Sequence, residues 1–134
     1  MILVKAGSAP PTSHNAAMPH CPECDAHTAQ LTTFTTRTSN RNGNAGRKYL
    51  KCVPCKRFVA FLDDRGVHAS NPTCFCNRPS RLQIAGAGKI KPRGLHYVCV
   101  RGGCDFYEAA TDDQGEQYSA TERLAEIMIQ LKII

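Results

Sequence analysis

The sequence predicts a small β protein made of two antiparallel three-stranded modules, followed by a C-terminal α-helix. Three observations predict this class. The eight cysteines form four close pairs in two sets, each set encloses strand-like segments separated by turn residues, and helical periodicity is confined to the last part of the chain. The second set repeats the plan of the first at an offset of about 50 residues, which indicates an internal repeat.

The spacing of the cysteines predicts two metal sites. Two close pairs separated by a hairpin-sized segment bring four thiolates to one point, which suits the tetrahedral coordination of structural zinc. We therefore predict two zinc ions per chain and a zinc-stabilised β fold. A structural zinc site contributes on the order of 10 kcal/mol to folding, which modules of this size need. The ligands are Cys21, Cys24, Cys52 and Cys55 in the first set, and Cys74, Cys76, Cys99 and Cys104 in the second.

Composition and turn residues place the boundaries. We predict a flexible N-terminal segment at 1–19, a first module at 20–66, a linker at 67–73, a second module at 74–115 and a helical C-terminal segment at 116–134. Runs of β-branched and aromatic residues predict three strands in each module. They are Gln30–Arg37, Lys48–Lys51 and Phe58–Leu62 in the first, and Leu82–Ile84, His96–Val98 and Phe106–Tyr107 in the second.

The C-terminal segment predicts an amphipathic helix over residues 120–132. Ser119 and Glu122 fit a capping box, in which a hydroxyl and a glutamate three residues later cap the first turn. The apolar positions also match a short coiled-coil seam, so the helix is expected either to cover a module or to join a second copy or another protein through residues 120–134. The predicted apolar face consists of Leu124, Ile127, Met128, Leu131 and Ile134.

Charge is strongly asymmetric along the chain. From Arg37 to Arg101, 14 lysines and arginines face two acids, Asp63 and Asp64, while the whole chain carries a net charge of +6. A dense basic region implies a polyanionic partner, most simply nucleic acid. The alternative is a solvated, solubilising surface.

Other classes of protein fit the sequence less well. A secreted disulfide-rich effector remains an alternative, but the chain start lacks the basic residues and apolar run of a signal peptide. No apolar run approaches the ~18 residues of a membrane span, so we expect no membrane partner. We also expect no enzymatic activity, because four sulfur ligands close each zinc site and leave no position for a substrate.

The segment between Asn44 and Phe58 resembles the GRF-type zinc finger family. It combines Asn-x-Gly-Arg ending at Arg47, an aromatic residue at Tyr49, the third and fourth cysteines and Phe58. The resemblance implies a claw-shaped, three-stranded sheet around one zinc that binds single-stranded DNA. In that family such modules are appended to topoisomerases, DNA glycosylases and abasic-site endonucleases, outside the catalytic site.

The second module resembles the same family less closely. It has the Cys74-x-Cys76 opening and Tyr97 two residues before Cys99. However, Arg93-Gly94 is in reversed order, and both modules have alanine, Ala60 and Ala109, where the family usually has tryptophan.

Together these features predict a non-catalytic, nuclear protein that binds single-stranded DNA or RNA. Alternate residues of a strand share a face, so Arg47, Tyr49 and Lys51 are expected to project together as a base-stacking ring between two cations. The alternatives are that both tyrosines are core rings, and that the protein is an interaction adaptor whose zinc modules are scaffolds. The predicted nucleic-acid-binding residues are Arg47, Lys48, Tyr49, Lys51, Arg57, Lys89, Lys91, Arg93 and Tyr97.

Overall fold

The computed structural model describes residues 18–24, 30–39, 43–86 and 91–134. These residues form two three-stranded antiparallel sheets, in the order β1-β2-β3 and β4-β5-β6, and a helix near the C-terminus. The predicted fold class is confirmed. The elements are β1 (Thr32–Thr35), β2 (Lys48–Cys52), β3 (Arg57–Phe61), β4 (Arg81–Ile84), β5 (Leu95–Val98), β6 (Tyr107–Ala109) and α1 (Glu122–Gln130).

All six predicted strands occur, with ends that differ by a few residues. The greatest difference is in β1, where Thr32–Thr35 replaces the predicted Gln30–Arg37. Just before β2 lies Gly46, whose φ of 79° is a left-handed conformation that glycine adopts without steric cost. Most of the predicted N-terminal segment lies outside the described residues.

The first sheet aligns aromatic side chains from all three strands. Tyr49 of β2 lies opposite Phe34 of β1 and opposite Phe61 of β3. An irregularity between Leu50 and Lys51 shifts the register, so that Lys51 pairs with Phe58. Tyr49, Phe34 and Phe61 are directly opposite one another, so their side chains share one face of the sheet.

The second sheet and the helix enclose one apolar core. Ile84 and Leu95 are cross-strand partners, and they pack with Ala125 of α1. The same cluster includes Ala110, Ala120 and Ile134, with Leu82, Tyr97, Met128, Ile129 and Ile133 against it. The helix is thus part of the fold of the second module.

The ends of α1 differ from the prediction. Thr121, not Ser119, is the N-cap, and its hydroxyl accepts a hydrogen bond from the Leu124 N–H. At the other end Lys132 has a φ of 60°, and the N–H groups of Lys132 and Ile133 donate to Ile129 and Met128. This pair of bonds is a Schellman motif, which ends the helix two residues earlier than predicted.

The predicted apolar face of the helix is only partly the packed face. Ile134 is buried and Met128 is half-buried, but Leu124, Ile127 and Leu131 are exposed. Small Ala125 faces the sheet and lets the helix approach closely, so the contact face is rotated toward Ala125 and Ile129. Periodicity of large residues alone does not detect an alanine that anchors a helix.

The two modules are in direct contact. The His20 N–H donates to the Gly102 carbonyl at 3.1 Å, and Gly102, with a φ of 70°, packs against Val59 of β3. The segment predicted as a linker, 67–73, pairs with the start of the second module through bridges from Val67 to Arg81 and from Thr73 to Pro79.

Arg81 is the main polar contact between the modules. Its side chain is 1% exposed, and it donates to the Asp63 carboxylate at 2.8 Å and to the Arg65 carbonyl at 2.7 Å. Further donations reach the carbonyl oxygens of Phe61, Asp63 and Val100. A guanidinium can be buried at this depth because its donors are paired.

Asp63 also accepts two hydrogen bonds from Arg47, at 2.8 and 2.7 Å. Burial opposes ionisation of this carboxyl group, but the hydrogen bonds and charge of Arg47, the Arg65 N–H and the charge of Arg81 outweigh it. The pKa of Asp63 consequently falls to about 2. In the sequence Asp63 is one of two acids within a basic region, and in the fold it links both modules.

No helix in the described ranges is both long enough and apolar enough to cross a membrane.

Candidate metal centres and aromatic surface

The first cysteine cluster lies at the end of the first sheet. Cys52 is the last residue of β2, Cys55 is in the turn to β3, and Cys21 and Cys24 lie in the chain before β1. The four sulfur atoms lie within 4.8 Å of one another, and the Cys24 and Cys52 Sγ atoms are 3.6 Å apart. Cys21 and Cys52 are buried, whereas Cys24 is exposed.

The second cluster has the same position in the second sheet. Cys99 directly follows β5, Cys104 lies before β6, and Cys74 and Cys76 precede β4. Its four sulfur atoms also lie within 4.8 Å of one another, with 4.0 Å between the Cys76 and Cys99 Sγ atoms. Three of these cysteines are buried, and Cys104 is half-buried.

Tight turns bring the cysteines of two pairs together, Cys52 with Cys55 and Cys74 with Cys76. The Lys56 N–H donates to the Val53 carbonyl, and the Asn77 N–H donates to the Cys74 carbonyl. Lys56 and Asn77, each directly after a cysteine, have φ values of 53° and 65°. A left-handed residue at this point turns the backbone around the sulfur atoms, and lysine and asparagine accept the modest strain.

Both clusters fit zinc. Zinc–sulfur bonds of about 2.3 Å in a tetrahedron place the sulfur atoms about 3.8 Å apart, close to the two distances observed. All eight thiols are free, so no disulfide competes for them. Each cluster could hold one zinc ion, as the sequence predicted. A bound ion would cross-link two turns of each module, and four thiolate ligands would complete its tetrahedral shell.

The first sheet carries an aromatic face made of Phe34, Tyr49, Phe58 and Phe61. The Tyr49 ring stacks on Phe34 at 5.8 Å between centroids and lies 5.6 Å from Phe58. Phe61 contacts both Phe58, at 4.9 Å, and Tyr49, at 6.3 Å, edge to face. Phe34 and Phe58 remain 37% and 39% exposed, so the outer rings of the cluster face solvent.

Two cations flank this aromatic face in different ways. The Lys51 Nζ atom lies 5.6 Å from the ring centroid of the exposed Phe34, and Lys51 itself is half-buried. The Arg47 guanidinium lies 3.7 Å from the Phe61 centroid, but it is buried and paired with Asp63 and with the Asn44 side chain. Lys51 is therefore available to a ligand, while Arg47 supports the rings from within.

The other predicted binding residues are dispersed. Lys48 and Arg57 are exposed at the ends of their strands, and Arg57 lies 4.0 Å from Glu23 in a solvent-exposed ion pair. Lys91 is exposed and Arg93 is half-buried with a φ of 54°. Lys89 lies outside the described residues. Tyr49 and Lys51 lie two residues apart on β2, Arg47 is buried just before it, and Lys91 and Arg93 belong to the second module.

Tyr97 lies on the face of the second sheet that packs against α1. The opposite face carries His96, which stacks on Tyr107 at 5.2 Å, and Tyr107 is 60% exposed. Burial lowers the pKa of His96, and only the Gly94 carbonyl opposes this shift. The neutral ring can donate to Gly94 and accept from Gln83, which satisfies both nitrogens.

Sequence reasoning missed Phe34, Phe58 and Tyr107 as candidate site residues. Phe58 directly follows Lys56 and Arg57 near the fourth cysteine, which was a usable signal. Phe34 and Tyr107 become recognisable only through their partners Tyr49 and His96, which depend on strand register.

The comparisons with known proteins concern the first module. Residues 18–65 match the family model of the GRF-like zinc ribbon domain. No curated protein and no solved structure shows a significant match to the chain. The match ends at residue 65, and the second four-cysteine cluster lies beyond it. Residues 18–65 are therefore similar to a GRF-like zinc ribbon domain, and they are followed by a second sheet of the same strand order with its own four-cysteine cluster.

Proposed function

We propose that this protein binds single-stranded nucleic acid, and that the aromatic face of the first sheet is the primary contact. The single observation that carries the proposal is the exposure of Phe34 and Phe58 beside Tyr49 and Lys51. Stacking of bases on such rings contributes about 1–3 kcal/mol per base and requires bases that are not paired in a duplex.

Packing alone does not account for this aromatic face. A ring that only fills a core stabilises the fold most when it is fully buried, because stabilisation grows with the apolar area removed from water. Two of the four rings nevertheless keep more than a third of their surface in solvent. The net charge of +6 supports a polyanionic partner over a neutral one. We further propose that the protein acts without catalysis and in the nucleus, where a fluorescently tagged chain should concentrate.

The proposal is tested by fluorescence anisotropy with labelled single-stranded DNA, single-stranded RNA and duplex DNA. We expect single strands to bind more tightly than duplex, with log Kd changing with log salt at a slope of magnitude about 3, if about four phosphates are neutralised. Phe34→Ala and Tyr49→Ala should each weaken binding roughly tenfold without changing this slope, because stacking releases few counterions.

Lys51→Ala should instead reduce the salt slope by about one phosphate contact. Tyr118→Ala is the matched control, because this tyrosine is 51% exposed but lies in the loop that packs beside α1. Equal affinity for duplex and single strands, with no effect of Phe34→Ala, would contradict the proposal.

A second candidate function is that of an interaction adaptor. The specific observation in its favour is the exposed stripe of Leu124, Ile127 and Leu131 on α1, at 44%, 42% and 65% exposure. Such a stripe suits a protein partner or a second copy of this chain. Sedimentation of the purified protein over a range of concentrations, with Leu131→Asp as the comparison variant, tests self-association directly.

A further inference from the structure

A groove runs between the two modules and begins at the edge of the aromatic face. It has a volume of about 230 Å³. His20, Arg57 and Phe58 line it from the first module, and Val98, Phe106 and Tyr107 line it from the second. Phe58 belongs to both the aromatic face and this groove, so the two surfaces are continuous.

The second module presents aromatic rings on its side of the groove. Tyr107 is 60% exposed and is held from behind by the buried ring of His96, stacked at 5.2 Å with an interplanar angle of 22°. Phe106 lies edge-on to Phe75, which is 71% exposed, at 5.3 Å between centroids. The rings of Tyr107 and Phe75 are large apolar surfaces left in solvent, and Tyr107 is fixed in orientation by its neighbour.

We propose that this groove receives an unstacked base of the same strand that lies on the aromatic face, so that one single strand crosses both modules. This inference rests on the proposed function and goes beyond it, because it assigns a second stacking site in a module outside the matched family segment. Tyr107 is the stacking residue there, with Phe58 on the opposite wall.

The size of the groove suits a flat ring. Its volume of about 230 Å³ is far above the ~10–15 Å³ that a cavity needs to hold one water. At the rim Arg57 is half in solvent and lies 4.0 Å from the Glu23 carboxylate, and Lys56 is exposed beside it. Asp105 is the one acid on the lining, and Arg78 and Arg101 are exposed at the adjacent cysteine cluster. The balance favours an anionic backbone passing over the groove.

Because the modules touch through His20 and Gly102, the two stacking sites are held at a fixed spacing. A strand long enough to reach both then gains the second contact without a new loss of translational freedom. A strand that reaches only one site does not. The inference therefore predicts a specific dependence of affinity on strand length.

The test uses the full, zinc-loaded chain with labelled oligothymidylates of about 5 and about 15 nucleotides, a range that brackets known single-strand site sizes. In the wild type, affinity should rise with length. In Tyr107→Ala, the affinity for the longer strand should fall about tenfold and that for the shorter strand should change less than threefold. Tyr107→Phe, which keeps the ring, should match the wild type, and Tyr118→Ala should lose nothing at either length.

Phe34→Ala distinguishes this inference from the function on which it rests, because it should weaken both lengths. Suppose that Phe34→Ala weakens binding to both strands, while Tyr107→Ala still binds the longer strand more tightly by the same factor as the wild type. The groove proposal is then wrong and the proposed function stands. If Phe34→Ala changes neither length, the proposed function fails and the groove proposal fails with it. Zinc content and thermal unfolding of each variant show whether the fold is intact; if Tyr107→Ala is unstable, Tyr107→Ser replaces it.

Discussion

Asp63 joins the two modules through one carboxylate that accepts from both Arg47 and Arg81. Its pKa of about 2 lies below the ordinary 3.8, so ionised Asp63 stabilises the folded state. This contribution is fully present above about pH 4 and is lost as the pH falls through 2. At neutral pH the ion pairs are therefore intact.

Removing this carboxylate should be costly. Asp63→Ala leaves Arg81, at 1% exposure, without a charged partner, and we expect the free energy of unfolding to fall by on the order of 3 kcal/mol. Thermal unfolding of the zinc-loaded protein measures the change. The neighbouring Asp64→Ala, at an exposed position, is the matched control and should lie within about 0.5 kcal/mol of the wild type. Similar effects of both changes would contradict this role for Asp63.

At the scale of elements, the face of α1 that contacts the second sheet differs from the face that its large apolar residues predict. Ala125 is 2% exposed and packs with Ile84 and Leu95 of the second sheet. Leu131, the C-cap residue of α1, is 65% exposed. Burial, and not residue size, therefore decides which substitutions matter in this helix.

We expect Ala125→Asp to destabilise the second module by several kcal/mol, because it places a carboxylate in an apolar core with no partner. Leu131→Asp is the control on the same helix and should have little effect on stability. Circular dichroism melting curves of both variants, together with zinc content, decide the matter. A larger loss from Leu131→Asp would show that the helix packs through its predicted face instead.

Strand positions were predictable from the sequence because β-branched and aromatic runs are local signals, as in Lys48–Cys52 and Leu95–Val98. The metal centres were predictable for a similar reason, since pair spacing alone identifies the ligands. Three features were not predictable: the stacking of Phe34 on Tyr49, the pairing of Arg81 with Asp63, and the burial of Arg47. Each depends on strand register or on contact between modules, and neither is encoded within a short window of sequence.

At the scale of the whole molecule, the contacts between modules predict that the two zinc centres are coupled. Cys99→Ser should release the second zinc, because closed structural sites depend on every ligand. Cys99→Ser should also lower the stability of the first module, because Gly102 packs on β3 and Arg81 forms an ion pair with Asp63. Zinc analysis should find one ion per chain, and amide NMR signals of β1 to β3 should shift or broaden.

Cys52→Ser is the reciprocal variant, and it should disturb the second module in the same way. Independent modules would give a different result, in which Cys99→Ser leaves the signals of the first sheet and its melting temperature unchanged. That outcome would show that the interface between the modules contributes no stability.

The contact between Gly66 and Leu82 of β4 affects whether residues 18–65 can fold when they are moved into another protein. A Cβ atom at Gly66 would lie 2.2 Å from the Leu82 carbonyl oxygen, and the Leu82 N–H donates to the Gly66 carbonyl. A fragment cut at residue 65 would lose this contact together with Arg81, the partner of Asp63. Packing and hydrogen bonds therefore cross the end of the matched segment, and we expect that segment, grafted onto another protein, to need a replacement for the contacts that β4 provides.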